Sequence, residues 1–318
     1  MSAPDLWEAL RVMDRPPGEL AMTAYLTAPD PVPTGVPKLD QLLGGGMTRG
    51  VTVVGGPSSA GKSVLACQST AMMAARGTRV VYASYEMSWE VVQLRCASSW
   101  SCHNRDVATI SWSNVVSGVA RRSHPEYRGK SAQQLSRYLV DGDDPVVRTL
   151  TAWDDGPGRN LAVLTDNYEI GELVETMRTL PQPKPVLVVD YMQIVPVELS
   201  GNDSEYDRVS EIINQLQSYA QSKDGGNVLA ISSTRKLSAN DYKDGPTMDW
   251  FRGSGYIGYA AEQAVMLVPD RVRTENGMEL SRNQDGSVNG RMTVVKNKSG
   301  ASDVSIATKL YGNSNLIL

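Results

Sequence analysis

Eight residues constrain this chain more than any others: Gly56-Pro57-Ser58-Ser59-Ala60-Gly61-Lys62-Ser63. They follow an apolar β-branched run, Val51-Thr52-Val53-Val54, and lead into Val64-Leu65-Ala66 and on to Ala75. Strand, glycine-bounded loop and helix is the context in which G-x-x-x-x-G-K-[ST] binds phosphate. The glycines let backbone N–H groups curl around an anion, and the helix N-terminus adds partial positive charge. Lys62 then reaches the β- and γ-phosphates of a nucleoside triphosphate, and the Ser63 hydroxyl ligates Mg²⁺. The complete motif in this context outweighs the alternative, a Gly/Ser-rich turn before an ordinary helix. The expected ligands are ATP and Mg²⁺.

Two further strands end in acids. Arg79-Val80-Val81-Tyr82-Ala83-Ser84-Tyr85 reads as a buried strand with Glu86 at its carboxyl end and Ser88 placed to cap the next helix. Ligands of open α/β sheets bind beyond the carboxyl ends of strands, which brings Glu86 into the same crevice as the phosphate loop. A carboxylate there either orients and deprotonates an attacking water or favours a helix N-terminus. Val186-Leu187-Val188-Val189-Asp190 reads as a central parallel strand. In a phosphate-loop protein an aspartate at such a tip holds Mg²⁺ through its water shell.

The remaining chain supplies the layers. Val209, Ile212, Ile213, Leu216 and Ala220 recur at helical spacing behind a Ser204–Asp207 capping box. Asn227–Ser233, Gln263–Val268 and Arg291–Lys296 read as strands, with Val304–Tyr311 as an edge strand. Val146–Trp153 and Leu161–Thr165 read as one or two more. Strands alternating with helices predict an α/β fold, a mainly parallel central sheet covered on both faces. Ahead of it, residues 1–33 hold a short amphipathic piece, Leu6–Met13, and a proline-rich connector with Pro16, Pro17, Pro29, Pro31 and Pro33.

Composition narrows the partners. The 318 residues carry 31 Lys and Arg against 35 Asp and Glu, which excludes a broadly basic coat and leaves room for a local basic lining. The three cysteines lack C-x-x-C spacing, as in a reduced cytosolic protein, and Cys102-His103 without further donors makes a poor zinc site. No apolar run reaches the length of a membrane span. A soluble, cytoplasmic protein with no membrane partner is expected. His124, in a loop, is assigned no role.

Several separated motifs resemble one family in the same order. "TGVPKLDQLLGGG" before the phosphate loop, "YEMSWEVVQLR", "VLVVDYMQIV", "LAISSTRK", "FRGSGYIGYAAEQAVMLV" and "VVKNKSG" are similar to the motor domain of DnaB-type replicative helicases, within the RecA-like ATPases. The resemblance covers 34–318, with 103–165 only loosely matched. It implies a RecA-like P-loop ATPase domain in a ring, usually a hexamer, with ATP held between neighbours. By the same resemblance Glu86 is the catalytic base, Asp190 the Mg²⁺-associated acid and Arg95 a nucleotide-site residue. Lys296 and Lys298 fall where a neighbour's phosphates would be reached. Two loops, about Pro196–Arg208 and Thr234–Trp250, would line a channel for single-stranded DNA, the second with Arg235, Lys236 and Lys243.

Three departures qualify the resemblance. Ser233 stands where the family has a polar glutamine sensor. Lys298 stands at the arginine finger, keeping the charge but losing the planar fork. Roughly thirty residues stand in place of the family's primase-binding N-terminal domain, far short of a domain, so a stand-alone motor without primase coupling is expected. The expected function is a ring-forming, ATP-dependent DNA helicase or translocase of replication. The alternatives are a RecA-like ATPase with another task (recombination mediation, helicase loading or signalling) and a nucleotide-binding assembly protein of low turnover.

Overall fold

The computed structural model describes residues 22, 26–116, 129–131, 134, 144–199, 204–274 and 277–318. The Leu6–Met13 stretch, Pro16, Pro17, Arg121, Arg122, His124 and Asp203 lie outside the described residues. The chain divides into two units, Met1–Asp30 and Pro31–Leu318, a boundary inside the proline-rich connector.

The second unit is built on a sheet with nine strands among the described residues. In chain order they are β1 (Val51–Gly56), β2 (Val80–Ser84), β3 (Leu161–Leu164), β4 (Val186–Asp190), β5 (Val228–Ser233), β6 (Gln263–Pro269), β9 (Val288–Asn297), β10 (Val304–Tyr311) and β11 (Leu316–Ile317). A separate hairpin pairs β7 (Arg271–Thr274) with β8 (Gly277–Leu280). The spatial order is β11-β10-β9-β6-β1-β5-β4-β2-β3. Strands β1 to β6 pair in parallel, and β9, β10 and β11 extend the sheet antiparallel. The two-residue β11 therefore takes the edge expected of Val304–Tyr311.

Both faces are covered, as continuous apolar strands require. Val51 and Val53 of β1 enter one core cluster, while Val54 enters the other. On the Val54 side lie α1 (Pro37–Leu43), α2 (Lys62–Ala75), α3 (Trp89–Ser101), α4 (Trp112–Val116) and α5 (Pro145–Asp155). On the other lie α6 (Ile170–Thr179), α7 (Glu205–Gln221) and α9 (Ser254–Ala260), with α8 (Ala239–Asp244) in the loop between β5 and β6. Every residue of α2 from Val64 to Ala74 is buried, so small Ala, Ser and Cys side chains let it press close to the sheet.

The segment before the phosphate loop is docked by specific bonds. Asp40 accepts hydrogen bonds from the Thr34 N–H and hydroxyl, both at 2.7 Å, and from the Gly35 N–H at 3.0 Å. Gly35 has φ +77°, and a Cβ there would stand 2.1 Å from Met72 Cβ on α2. This close approach demands glycine.

One expected strand is a helix. Val146–Trp153 lies in α5, although Val146, Val147, Thr149 and Thr151 favour strands on propensity. Asp144 caps its first turn by accepting from the Val146 N–H at 2.8 Å, and Pro145 occupies the first helical position. Thr149 and Trp153 fall on one buried face, and Trp153 packs against Trp100 with ring centroids 5.8 Å apart. Capping and tertiary packing override propensity here. Leu161–Thr165 is the strand β3, ending at Leu164.

Candidate nucleotide-binding site

The phosphate loop joins β1 to α2 at the carboxyl edge of the sheet. Gly61, at φ +91°, is the N-cap of α2, and a Cβ on Gly56 would stand 2.8 Å from the Leu267 carbonyl of β6. The loop thus closes against a strand whose backbone leaves no room for a side chain. Lys62 Nζ donates to the Gly56 and Pro57 carbonyls at 2.8 and 3.1 Å, which curls it over the loop. Burial pushes its pKa below the ordinary lysine value, against the pull of Asp190 and Glu86.

The acid-tipped strands converge on this loop. Ser84 of β2 pairs with Asp190 of β4, so Glu86 and Asp190 emerge from neighbouring strands at one edge. Ser63 Oγ donates to Asp190 Oδ1 at 3.3 Å, and Tyr82 Oη donates to Asp190 Oδ2 at 2.7 Å. Asp190 is 1% exposed. Burial raises its pKa, while the hydrogen bonds from Tyr82 and Ser63 pull it back down. A hydroxyl beside a buried carboxylate is an all-oxygen donor set suited to a hard cation, so Ser63 and Asp190 fit Mg²⁺. Among the described residues no cluster of three or more His, Cys, Asp or Glu forms a dedicated metal cage.

Ser58–Val64, Glu86 and Arg95 line one pocket of about 380 Å³. Arg95 Nη1 donates to Asn315 Oδ1 at 3.3 Å, and its guanidinium lies 4.1 Å from the Trp112 ring centroid. Its Nε is buried with no partner, a donor left available at the pocket wall. Leu280, Val288 and Leu310 form an apolar side, joined by Arg282. Arg271 of β7 donates to the Ser58 carbonyl at 2.9 Å, pinning the β7–β8 hairpin to the phosphate loop.

Lys296 and Lys298 lie elsewhere. Asn297 pairs with Gln263 at the start of β6, and Gln263 pairs with Thr52 at the start of β1. The two lysines therefore occupy the amino edge of the sheet, roughly 15 Å along the strands from the chain's own phosphate loop. A register shift in β9 opposite Ala264 and Val265 re-aims this end of the strand. Lys296 Nζ donates to the Gly258 and Tyr259 carbonyls, and burial, followed by the charge of Lys298, lowers its pKa. Lys298 Nζ sits 2.8 Å from Glu262 Oε2.

A family model described as the DnaB-like helicase C terminal domain matches residues 31–138 and 158–310. The chain belongs to this family. Two solved DnaB-family folds resemble it over 96% of its length. One is an isolated ATPase domain, 18% identical at a TM-score of 0.69 and covered over 99% of its length. The other is a DnaB-like replicative helicase studied with its interactions with primase, 16% identical at a TM-score of 0.67 and covered over 67%. At those identities the likeness concerns the fold. Two curated relatives match locally. The DNA repair protein RadA of Brucella abortus (strain 2308) is 40% identical over 63 residues, 20% of this chain and 14% of that protein. RadA of Mycolicibacterium smegmatis (strain ATCC 700084 / mc(2)155) is 38% identical over 74 residues, 23% of this chain and 16% of that protein.

For a DnaB-family chain, the sensor position is organised unexpectedly. Ser233 ends β5, and Gln193 from the "DYMQ" motif reaches across to it. Its Oε1 accepts from the Ser233 N–H at 3.0 Å while its Nε2 donates to Ser232 Oγ at 2.8 Å. A glutamine amide thus stands beside Ser233 after all, supplied by the neighbouring strand's tip.

The three basic residues of the second loop separate into two kinds. Arg235 binds Asp241 through two nitrogens, at 3.1 and 2.6 Å, and Asp249 at 3.1 Å. Those bonds raise the Arg235 pKa and hold the Asp241 carboxyl well below the usual range. Lys236 and Lys243 are exposed. The first loop is described only outside 200–203, and at its end Glu205 pairs with Arg252. No helix among the described residues is long and apolar enough to cross a membrane.

Tyr82, Arg271, Arg282 and Asn315 escape a reading of motifs. Tyr82 carried the one sequence signal that could have found it, an aromatic hydroxyl inside an otherwise apolar strand, whose burial demands a partner.

Proposed function

We propose that this chain is an ATP-dependent DNA motor of the DnaB family, hydrolysing ATP at the junction between copies in a ring, usually a hexamer, and moving on single-stranded DNA in replication. The observation that carries the reading is the division of cations between the two edges of one sheet. Lys62, Ser63, Glu86, Arg95 and Asp190 gather at the carboxyl edge, and Lys296 and Lys298 stand at the amino edge. A site so divided is completed by a second copy packed head to tail, the heterologous contact that closes into rings.

In this reading the backbone of Gly56–Ser63 cradles the phosphates, and Lys62 turns from its carbonyls to the β- and γ-phosphates. Glu86 accepts the proton of the attacking water and orients it in line. Ser63 and Asp190 would hold Mg²⁺, which when bound neutralises charge on the β- and γ-phosphates. Arg95 offers its buried Nε and stacked guanidinium to the nucleotide. Lys298 contributes a point charge to the neighbour's transferred phosphoryl group, with Lys296 beside it. Lys236 and Lys243 carry exposed charge on the loop assigned to DNA.

The deciding experiment measures ATP hydrolysis with and without single-stranded DNA, then strand displacement on a forked duplex. DNA-stimulated hydrolysis with displacement is expected. Stimulation without displacement would favour a DNA-repair ATPase, the second reading, which the local RadA matches support. Unstimulated, negligible turnover would leave a nucleotide-binding assembly protein. Mass measured with an ATP analogue and Mg²⁺ tests the ring.

A further inference from the structure

Tyr82 is fully buried in the middle of β2, among the aliphatic side chains of the core cluster beneath α2 and α3. Phenylalanine would fill that space without the cost of desolvating a hydroxyl. The hydroxyl has two partners: it donates to Asp190 Oδ2 at 2.7 Å, and Cys67 Sγ donates to it at 3.8 Å. The register explains the reach. Tyr82 pairs with Val188, two residues before Asp190 on the same face of the neighbouring strand, so a long side chain meets the carboxylate diagonally.

We infer that Tyr82 is a positioning residue for the magnesium–nucleotide complex: its hydroxyl pins Oδ2 of Asp190, so that Oδ1 stays turned to Ser63. An aspartate at a strand tip can rotate about its terminal torsion, which is broad and soft. A phenol held by packing and only two torsions removes that freedom. With Oδ2 engaged from below, Oδ1 remains on the side of Ser63 Oγ, 3.3 Å away. The inference rests on the assignment of Asp190 to Mg²⁺ and adds a residue buried behind the pocket, outside the phosphate loop and both acid tips. Its effect belongs to the metal requirement, and phosphate contacts are made by other groups.

The test uses the full chain and a fluorescent ADP, N-methylanthraniloyl-ADP. Affinity is measured in EDTA and across a Mg²⁺ titration for wild type, Tyr82→Phe, Asp190→Asn and the double variant. Tyr82→Phe should raise the Mg²⁺ concentration needed for half-maximal strengthening by roughly tenfold, the usual loss for a partner that orients a metal-holding group. A merely structural role would weaken binding equally in EDTA and in Mg²⁺, leaving their ratio unmoved. In the Asp190→Asn background the Tyr82→Phe shift should vanish. A wild-type Mg²⁺ midpoint in folded Tyr82→Phe, or a shift that persists at full size without Asp190, overturns the inference. A wild-type midpoint in Asp190→Asn instead overturns the metal assignment of Asp190 itself. Should Tyr82→Phe fail to fold, 3-fluorotyrosine placed at Tyr82 alone gives a second reading. Its ¹⁹F resonance should move when Mg²⁺ joins the ADP complex, and not in Asp190→Asn; a resonance indifferent to Mg²⁺ also overturns the inference.

Discussion

If ATP is shared between neighbouring copies, two inactive variants should restore one another. Lys298→Ala retains its own Lys62, Ser63, Glu86 and Asp190, whereas Glu86→Gln retains its own Lys298. The structure separates a catalytic loss from a folding loss. Lys298 pairs with Glu262 in a contact where the lysine side chain is 38% exposed, so its removal costs less than about 1 kcal/mol. That moves the melting temperature of a chain this long by about 2 °C or less. The rate should fall far more. An arginine finger contributes on the order of a thousandfold or more, and a lysine lacking the planar fork contributes less, so a loss of about a hundredfold is expected. In an equimolar mixture of head-to-tail assemblies, about one interface in four joins an intact Glu86 to an intact Lys298. The mixture should recover up to about a quarter of the wild-type rate, against about a hundredth for Lys298→Ala alone. Phosphate release with single-stranded DNA is the assay, after subunit exchange, with mixed assembly verified by mass. Lys298→Arg should match or exceed the wild-type rate. A wild-type rate for assembled Lys298→Ala would refute the assignment and make Lys296 the next residue to test. No recovery in assemblies shown to be mixed would refute independently firing shared sites.

Lys62→Ala should abolish turnover and weaken nucleotide binding, whereas Glu86→Gln should bind ATP nearly normally and stop hydrolysis, read by equilibrium binding and phosphate release. Wild-type turnover by Glu86→Gln would remove it as the base. On the DNA loop, Lys236→Ala with Lys243→Ala should weaken single-strand binding and flatten the salt dependence by about 1.4 in log–log slope per engaged copy, because each lost phosphate contact releases roughly 0.7 fewer counterions. An unchanged slope would show that these lysines do not meet DNA. Arg235→Ala should act differently, loosening the loop that Asp241 and Asp249 hold, visible as faster amide exchange around Asp241–Asp249. The pH behaviour of Lys296 has a defined sign. A depressed lysine pKa means that the charge is lost at a lower pH than in a free lysine, and Lys298→Gln, by removing a like charge, should move the ¹³Cε titration midpoint upward.

Much of the parallel sheet was legible in the chain. The strands β1, β2, β4, β5 and β6 are short apolar runs bounded by turn residues, and their conformation follows from side chains within a few positions of each other. The placement of Glu86 and Asp190 beside the phosphate loop followed as well, because parallel strands point their carboxyl ends the same way. Pro145–Asp155 was misread for a physical reason: its β-branched residues speak for a strand, while the cap from Asp144 and burial of Trp153 speak for a helix and win.

What the sequence determined by itself was local: a phosphate-binding turn, strands tipped with acids, helices with one apolar face, and motifs in family order. Tertiary structure alone decided the pairings between remote positions. Tyr82 meets Asp190 across 108 positions of chain, Gln193 reaches Ser233 across 40, and Lys298 finds Glu262 across 36. Each pairing depends on strand register, which one residue of slippage would reverse by turning every side chain to the opposite face. Register is set by burying two apolar faces at once, a collective property of the packed sheet. That is why the hydroxyl behind Asp190, the pairing of Arg235 within its own loop and the two lysines at the far edge emerge only when the chain is folded.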